Sequence, residues 1–215
     1  MSNEYKGGFD VDVEVFEKKE PDSSEKVKRE ILDWLRIFAM VIVVIVFIFT
    51  FVFKPATIEG SSMESTLFEN QKVIITNLFY TPKYGDVVVI SRNIENSFEN
   101  SASKSNLPII KRVIATEYQT VDIDFEKGIV YVDGVALDEP YVNTPTNLKY
   151  DIDFPVMVEK GCVFVLGDNR NVSLDSRSSQ IGNNGMVDTR YILGRVICRV
   201  FPLNEFGPLE KVNKK

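Results

Sequence analysis

The sequence predicts a mainly β, antiparallel domain preceded by one N-terminal membrane-spanning helix. Two observations carry this reading. Ile37 to Phe53 is an uninterrupted run of about 17 residues without a charge, at the lower end of what crosses a bilayer core as a helix. After Lys54-Pro55 the pattern changes to short runs rich in Val, Ile, Tyr and Phe separated by turn residues, with no helical period of about ten residues anywhere beyond. At 215 residues the chain fits one compact domain plus appendages.

Taken in order, Met1 to Ser24 mixes acidic and basic side chains with Gly7, Gly8 and Pro21, a composition with little capacity to bury a core. From Glu25 to Leu35 the apolar residues Val27, Ile31, Trp34 and Leu35 recur at helical spacing, which suits a short interfacial helix leading into the membrane. Lys26, Lys28, Arg29 and Arg36 precede the apolar run, whereas the first residues beyond it offer only Lys54. The positive-inside rule therefore places the N-terminus in the cytoplasm, with a single pass through the cytoplasmic membrane. A cleaved secretory signal is the competing reading, but the apolar core exceeds a typical h-region and no A-x-A site follows it. The division expected is 1–36 tail and interfacial helix, 37–53 anchor, and 54–215 extracytoplasmic β domain.

Within that domain, strands are expected at Lys72 to Thr76, Asp86 to Ser91, Ile109 to Thr116, Thr120 to Phe125, Ile129 to Val132, Gly161 to Leu166 and Tyr191 to Phe201, with a strand-like Ala56 to Glu59 ahead of them. Asp133-Gly134, set between Ile129–Val132 and Val135–Leu137, is a two-residue hairpin signal. Two polar insertions, 93–106 and 138–154, read as surface loops.

Charge and cysteine usage exclude several function classes. A net charge of -6 without a basic stripe argues against nucleic-acid binding. Cys162 and Cys198 form no CxxC pair and the chain contains no histidine, so no metal site is supported. The two cysteines fit either buried thiols or one disulfide in an oxidising compartment.

The missing histidine also shapes the catalytic reading. A serine hydroxyl needs a base beside it, and no imidazole is available. A lysine stripped of water is the remaining side chain able to act as a neutral amine base. Gly60-Ser61-Ser62-Met63 follows a strand-like segment, with Gly60 permitting a tight backbone that exposes a hydroxyl. Lys111 lies in the apolar run Ile109-Ile110-Lys111-Arg112-Val113-Ile114. A third segment, Gly167 to Arg177, follows the apolar strand Cys162–Leu166, and its Asp168, Arg170, Asp175 and Arg177 suit a hydrogen-bonded network that fixes a loop. Ser62 and Lys111 are the candidate nucleophile and base.

These three segments resemble the boxes of the type I signal peptidases, membrane-bound Ser/Lys endopeptidases that remove signal peptides, in their Gram-positive-type form. The family's S-M-x-P-T-L reads Ser62-Met63-Glu64-Ser65-Thr66-Leu67, its K-R-V-I reads Lys111-Arg112-Val113-Ile114, and G-D-N-R-x-x-S-x-D-S-R is complete from Gly167 to Arg177. The resemblance implies an antiparallel β-sheet fold of the signal peptidase and LexA-like type. It further implies Ser62 as nucleophile, Lys111 as general base, Ser173 hydrogen-bonding the lysine amine, and Asp168, Arg170, Asp175 and Arg177 supporting the loop. The oxyanion would be held by the Ser62 N–H, with Gly60 offering no side-chain donor. Ile58, Met63 and Ile110 would line shallow pockets for small side chains of a preprotein signal peptide bound as an added strand. The implied partners are preproteins, the lipid bilayer and nearby secretion machinery, with no cofactor or metal.

Two departures stand out. The family's proline is Ser65, which removes a fixed φ from the turn after the nucleophile. The family's G-D pair beyond K-R-V-I-G is replaced by Ala115-Thr116-Glu117-Tyr118, so that segment is expected to turn differently. Neither touches a catalytic atom, and altered stability or preference is expected instead of lost activity. A self-cleaving repressor peptidase would need a DNA-binding helix-turn-helix where this chain has its apolar run. A catalytically silent, membrane-tethered β domain that binds secreted proteins is the alternative of a different class.

Overall fold

The structure, a computed structural model, describes residues 23–91 and 107–209; the expected tail before Ser23 and the insertion 93–106 lie outside the described residues. Two compact units divide the chain between Val46 and Phe47. Among the described residues the first consists of helix α1, Ser23–Phe51, as far as Val46. Its apolar window has no protein cover, and it is long and apolar enough to cross a membrane. The interfacial turn expected at Glu25 to Leu35 is no separate element: it runs without a break into the apolar run. The reason is local, since no Gly or Pro interrupts Ser23–Phe51 to release a backbone hydrogen bond.

The second unit is built on two antiparallel sheets. Strands β1 (Lys54–Thr57), β2 (Lys72–Thr76), β3 (Val87–Ile90), β4 (Ile109–Thr116), β9 (Cys162–Leu166), β10 (Val187–Asp188) and β11 (Ile192–Phe201) run in the spatial order β1-β2-β11-β3-β4-β9-β10, with β12 (Gly207–Pro208) on β11. The smaller sheet joins β5 (Thr120–Asp124), β6 (Ile129–Val132), β7 (Val135–Ala136) and β8 (Val156–Met157) in the order β7-β6-β5-β8. Three strands begin and end where the sequence placed them: Lys72–Thr76, Ile109–Thr116 and Ile129–Val132. The strand expected at Ala56 starts and stops earlier, at Lys54–Thr57. Pro55 is tolerated there because β1 pairs only with β2 and is an edge.

Core packing follows the two strand patterns. All four residues of β3 are buried, as a strand covered on both faces requires, whereas β5 and β6 alternate. Ile114, Phe164 and Leu166 of the large sheet pack with Val121, Ile123, Val130 and Val132 of the small one. The Phe164 ring meets Phe154 edge-on at 6.0 Å. Where the family's G-D pair is absent, the chain turns through Tyr118 at φ 67.

Asp133 and Gly134 have φ 53 and 77 and close the β6–β7 hairpin, with Val132 opposite Val135. Both positive angles define the two-residue turn that matches strand twist. A Cβ on Gly134 would meet nothing within 4 Å, so its role is purely conformational. Gly134→Ala is expected to lower stability by about 1 kcal/mol, read as a shift in the urea midpoint with unchanged slope.

Candidate active site

Strand β4 carries two adjacent cations, Lys111 and Arg112, and successive side chains leave a strand on opposite faces. Both are buried, at 3% and 2% exposure. The Lys111 Nζ lies 2.8 Å from Ser62 Oγ and donates to the Ile110 carbonyl at 2.9 Å. Either protonation state uses the first contact: an ammonium donates to the hydroxyl oxygen, and a neutral amine accepts the hydroxyl proton. Ser62 is only half-buried, which leaves it accessible.

A tight turn presents that hydroxyl. Gly60 enters it at φ 78, and a Cβ there would meet nothing within 4 Å. The Glu64 N–H donates to Ser61 O, while the Thr66 and Leu67 N–H groups both donate to Met63 O at 2.8 and 2.9 Å. Met63 and Leu67 root the turn in a buried cluster with Ile58, Val73, Val87 and Val89.

On the other face of β4, Arg112 donates to both carboxylate oxygens of Asp168, at 2.8 and 2.6 Å, and to the Gly85 carbonyl at 2.9 Å. Thr66 Oγ1 donates to the same carboxylate at 2.5 Å and accepts from Arg112 at 3.2 Å. Burial acts to lower the Arg112 pKa, but its bonds to Asp168 and that residue's charge outweigh it and raise the value. Tyr141 lays its ring 4.0 Å from the guanidinium. Burial, reinforced by the Glu139 charge, pushes the Tyr141 phenol up, so cation and neutral ring persist together into the alkaline range.

The segment Gly167 to Arg177 wraps the backbone of Ser61 and Ser62. Asn169 donates through its N–H to Ser62 O at 3.0 Å and through Nδ2 to Ser61 O at 3.1 Å. Asp175 accepts from the Gly167 N–H, from the Arg177 N–H and from two guanidinium nitrogens of Arg177, with both side chains fully buried. Arg177 also donates to the carbonyls of Leu148, Arg170 and Ser173. Arg170 reaches Gly167 O, Thr146 Oγ1 and both oxygens of Glu139. Gly167 has no room for a side chain, since a Cβ would stand 2.2 Å from Ser173 Oγ and 2.5 Å from Ser62 O.

The expected site residues thus divide. Ser62 and Lys111 meet, and Asp168, Arg170, Asp175 and Arg177 form one buried network. Ser173 sits against Gly167 beside Ser62, but its Oγ is buried with no hydrogen-bond partner among the described residues; the bond to Lys111 is not formed in this structure. Ile58 and Met63 are 1% exposed core residues, so of the three apolar cleft positions only Ile110 presents surface. Most residues of 138–154 are exposed and form no strand or helix, as a surface loop would, but part of the segment turns inward. Thr146 and Ile152 are buried, and Glu139, Tyr141, Leu148 and Tyr150 all bond or stack on the site. Arg112 and Thr66 were visible inside the motifs without an assigned role. Glu139 and Tyr141 carried no local signal.

Comparison with known proteins settles the relationship. The family model described as "Signal peptidase, peptidase S26" matches residues 31–201. The chain belongs to that family. Signal peptidase IB of Staphylococcus aureus (strain COL) is 32% identical over 200 residues, spanning 84% of this chain and 94% of that protein. Signal peptidase I of Bacillus licheniformis is 28% identical over 197 residues, or 86% of this chain and 96% of the other. The crystal structure of a signal peptidase I from Enterococcus faecalis V583 aligns with a TM-score of 0.39 and 26% identity, over 54% of this chain and 97% of that one. The chain is a serine peptidase by family, and its apolar helix marks it as membrane-anchored.

Removing one partner of a buried pair strands the other charge. Asp168→Ala is expected to cost about 3–5 kcal/mol of stability, measured by urea unfolding of the detergent-solubilised chain. An exposed pair such as Arg36–Asp33 is expected to cost under about 1 kcal/mol when broken.

Proposed function

We propose that this chain cleaves N-terminal signal peptides from exported preproteins at the outer face of the cytoplasmic membrane, with Ser62 as nucleophile and Lys111 as general base. The observation that carries the reading is the buried Lys111 Nζ 2.8 Å from Ser62 Oγ in a chain without histidine. Burial disfavours an ammonium, and the neutral amine takes the hydroxyl proton as Oγ attacks the scissile carbonyl. The protonated lysine then returns that proton to the leaving amine, and water repeats the sequence to release the acyl group. The tetrahedral oxyanion is assigned to the Ser62 N–H at the mouth of the Gly60 turn. Ser173 is assigned to orienting the amine, which requires its side chain to rotate from its unpartnered position.

Strand addition supplies a route for substrate. On one side β4 pairs with β3 from Ile109 to Arg112, but on the other β9 begins its pairing only at Arg112. The β9 register thus stops short of Ile109 and Ile110, and this side of β4 beside Ser62 is where an extended peptide would add backbone hydrogen bonds. Ile110 supplies apolar surface there, in keeping with small side chains flanking the cut. The excess of Lys26, Lys28, Arg29 and Arg36 over Lys54 supports an orientation with the N-terminus in the cytoplasm.

Ser62→Ala is expected to abolish cleavage of a purified preprotein, by on the order of 10⁴-fold or more, with mass spectrometry showing one wild-type cut after a small residue. Lys111→Arg is expected to be equally inactive, because a guanidinium stays protonated. For the wild type, kcat/KM is expected to rise with pH as the amine loses its proton and then level off. A flat profile from about pH 6 to 10, with chemistry limiting, would sink lysine as the base.

A further inference from the structure

The loop 138–154 joins two strands of the small sheet, yet several of its residues contact the site. Two of its tyrosines stack on the site's buried guanidiniums: Tyr141 on Arg112 at 4.0 Å and Tyr150 on Arg177 at 5.3 Å. Tyr141 also reaches the nucleophile's turn, where its main-chain carbonyl accepts from Ser65 Oγ at 2.6 Å. Its hydroxyl donates to Glu139 at 2.8 Å, and Glu139 pairs with Arg170, which holds Gly167 O. Two residues further on, Asn169 binds the carbonyls of Ser61 and Ser62. A chain of contacts thus leaves the turn at Ser65 and comes back to it at Ser62.

We propose that Tyr141 is a positioning residue for the nucleophile: its carbonyl pins Ser65 and its ring caps Arg112, so that the loop 138–154 sets where Ser62 stands relative to Lys111. This rests on the Ser62/Lys111 reading. The physical case is that a proline ring would fix the turn through its own φ, whereas a serine leaves that angle free and must borrow rigidity from a partner. Ser65 finds it in a carbonyl anchored by a desolvated cation–aromatic stack. Placement errors near 1 Å are enough to cost large factors in rate, so a small loosening of this turn registers in turnover.

The test uses the full chain in detergent with Ser65→Ala, Ser65→Thr, Tyr141→Leu and the double variant Ser65→Ala/Tyr141→Leu. Steady-state cleavage of a preprotein is measured together with hydrogen exchange at the Thr66 and Leu67 amides, which close the turn on Met63 O. Ser65→Ala is expected to lower kcat about tenfold with KM unchanged within about twofold, and to speed exchange at both amides. Ser65→Thr, which keeps the hydroxyl, is expected to restore both. The double variant is expected to lose little more than the worse single one, since both act through one contact. Wild-type exchange and kcat in Ser65→Ala, a rise in KM in place of the fall in kcat, or additive losses would overturn the proposal. Exchange needs no turnover: faster exchange in Ser65→Ala alongside an intact preprotein with wild type would show the turn anchored through Ser65 but sink the Ser/Lys reading, and with it the catalytic purpose of that anchoring.

Discussion

The bidentate pair between Arg112 and Asp168 is the interaction on which the rest of the site depends. Each of its partners comes from a different segment, and Thr66 joins the third through the same carboxylate. Two charges at 2% and 0% exposure have surrendered their hydration, and an apolar pair of the same shape would often be as stable or more so. What the ion pair adds is direction. Four defined hydrogen bonds on one guanidinium admit one register of β4 against the nucleophile's turn, and that register puts Lys111 beside Ser62.

The same strand separates two tasks that conflict electrostatically. Arg112 must stay charged to hold the segments together, and its bonds to Asp168 keep it so against the cost of burial. In the proposed mechanism Lys111 must lose its charge to act as a base. Placing them on successive positions of β4 sends one to each face, so that a permanent cation and the proposed base share a backbone without sharing surroundings. The aromatic caps extend this division, since Tyr141 and Tyr150 cover the guanidiniums with faces that attract cations and carry no proton-exchanging charge of their own.

Much of this was legible in the sequence, and what was not has a physical reason. β4 and β6 could be bounded to the residue because apolar runs there end at turn formers, and Asp133-Gly134 could be read as a hairpin because few residues accept positive φ twice running. The pairs β7, β8, β10 and β12 are two residues long, too short for any period to show. Ser62 and Lys111 were found by elimination of histidine and by motif. Ile58 and Met63 were expected in the cleft from the family resemblance, and the fold packs both side chains into a buried cluster beneath the Ser62 turn, a placement that no local pattern announces. The reading of 138–154 as a surface loop came from composition and holds for most of its residues, but it hid the contacts that the segment makes with the site. Its Pro, Asn and Thr residues are those of a solvated connection, and nothing local distinguishes Glu139, Tyr141 or Tyr150 until their partners arrive from distant strands.

One continuous helix carries both the apolar run and the basic residues ahead of it. At 1.5 Å per residue, Ser23–Phe51 is a rod of about 43 Å, and its stretch before Ile37 accounts for about 20 Å of that. A bilayer's hydrocarbon is about 30 Å thick, so the rod must project. With no joint at the water–lipid boundary, tilt and reach become a single variable: any inclination of the buried part swings Lys26, Lys28 and Arg29 through the headgroup layer. The anchor is then also a lever, whose angle is readable by lipid charge.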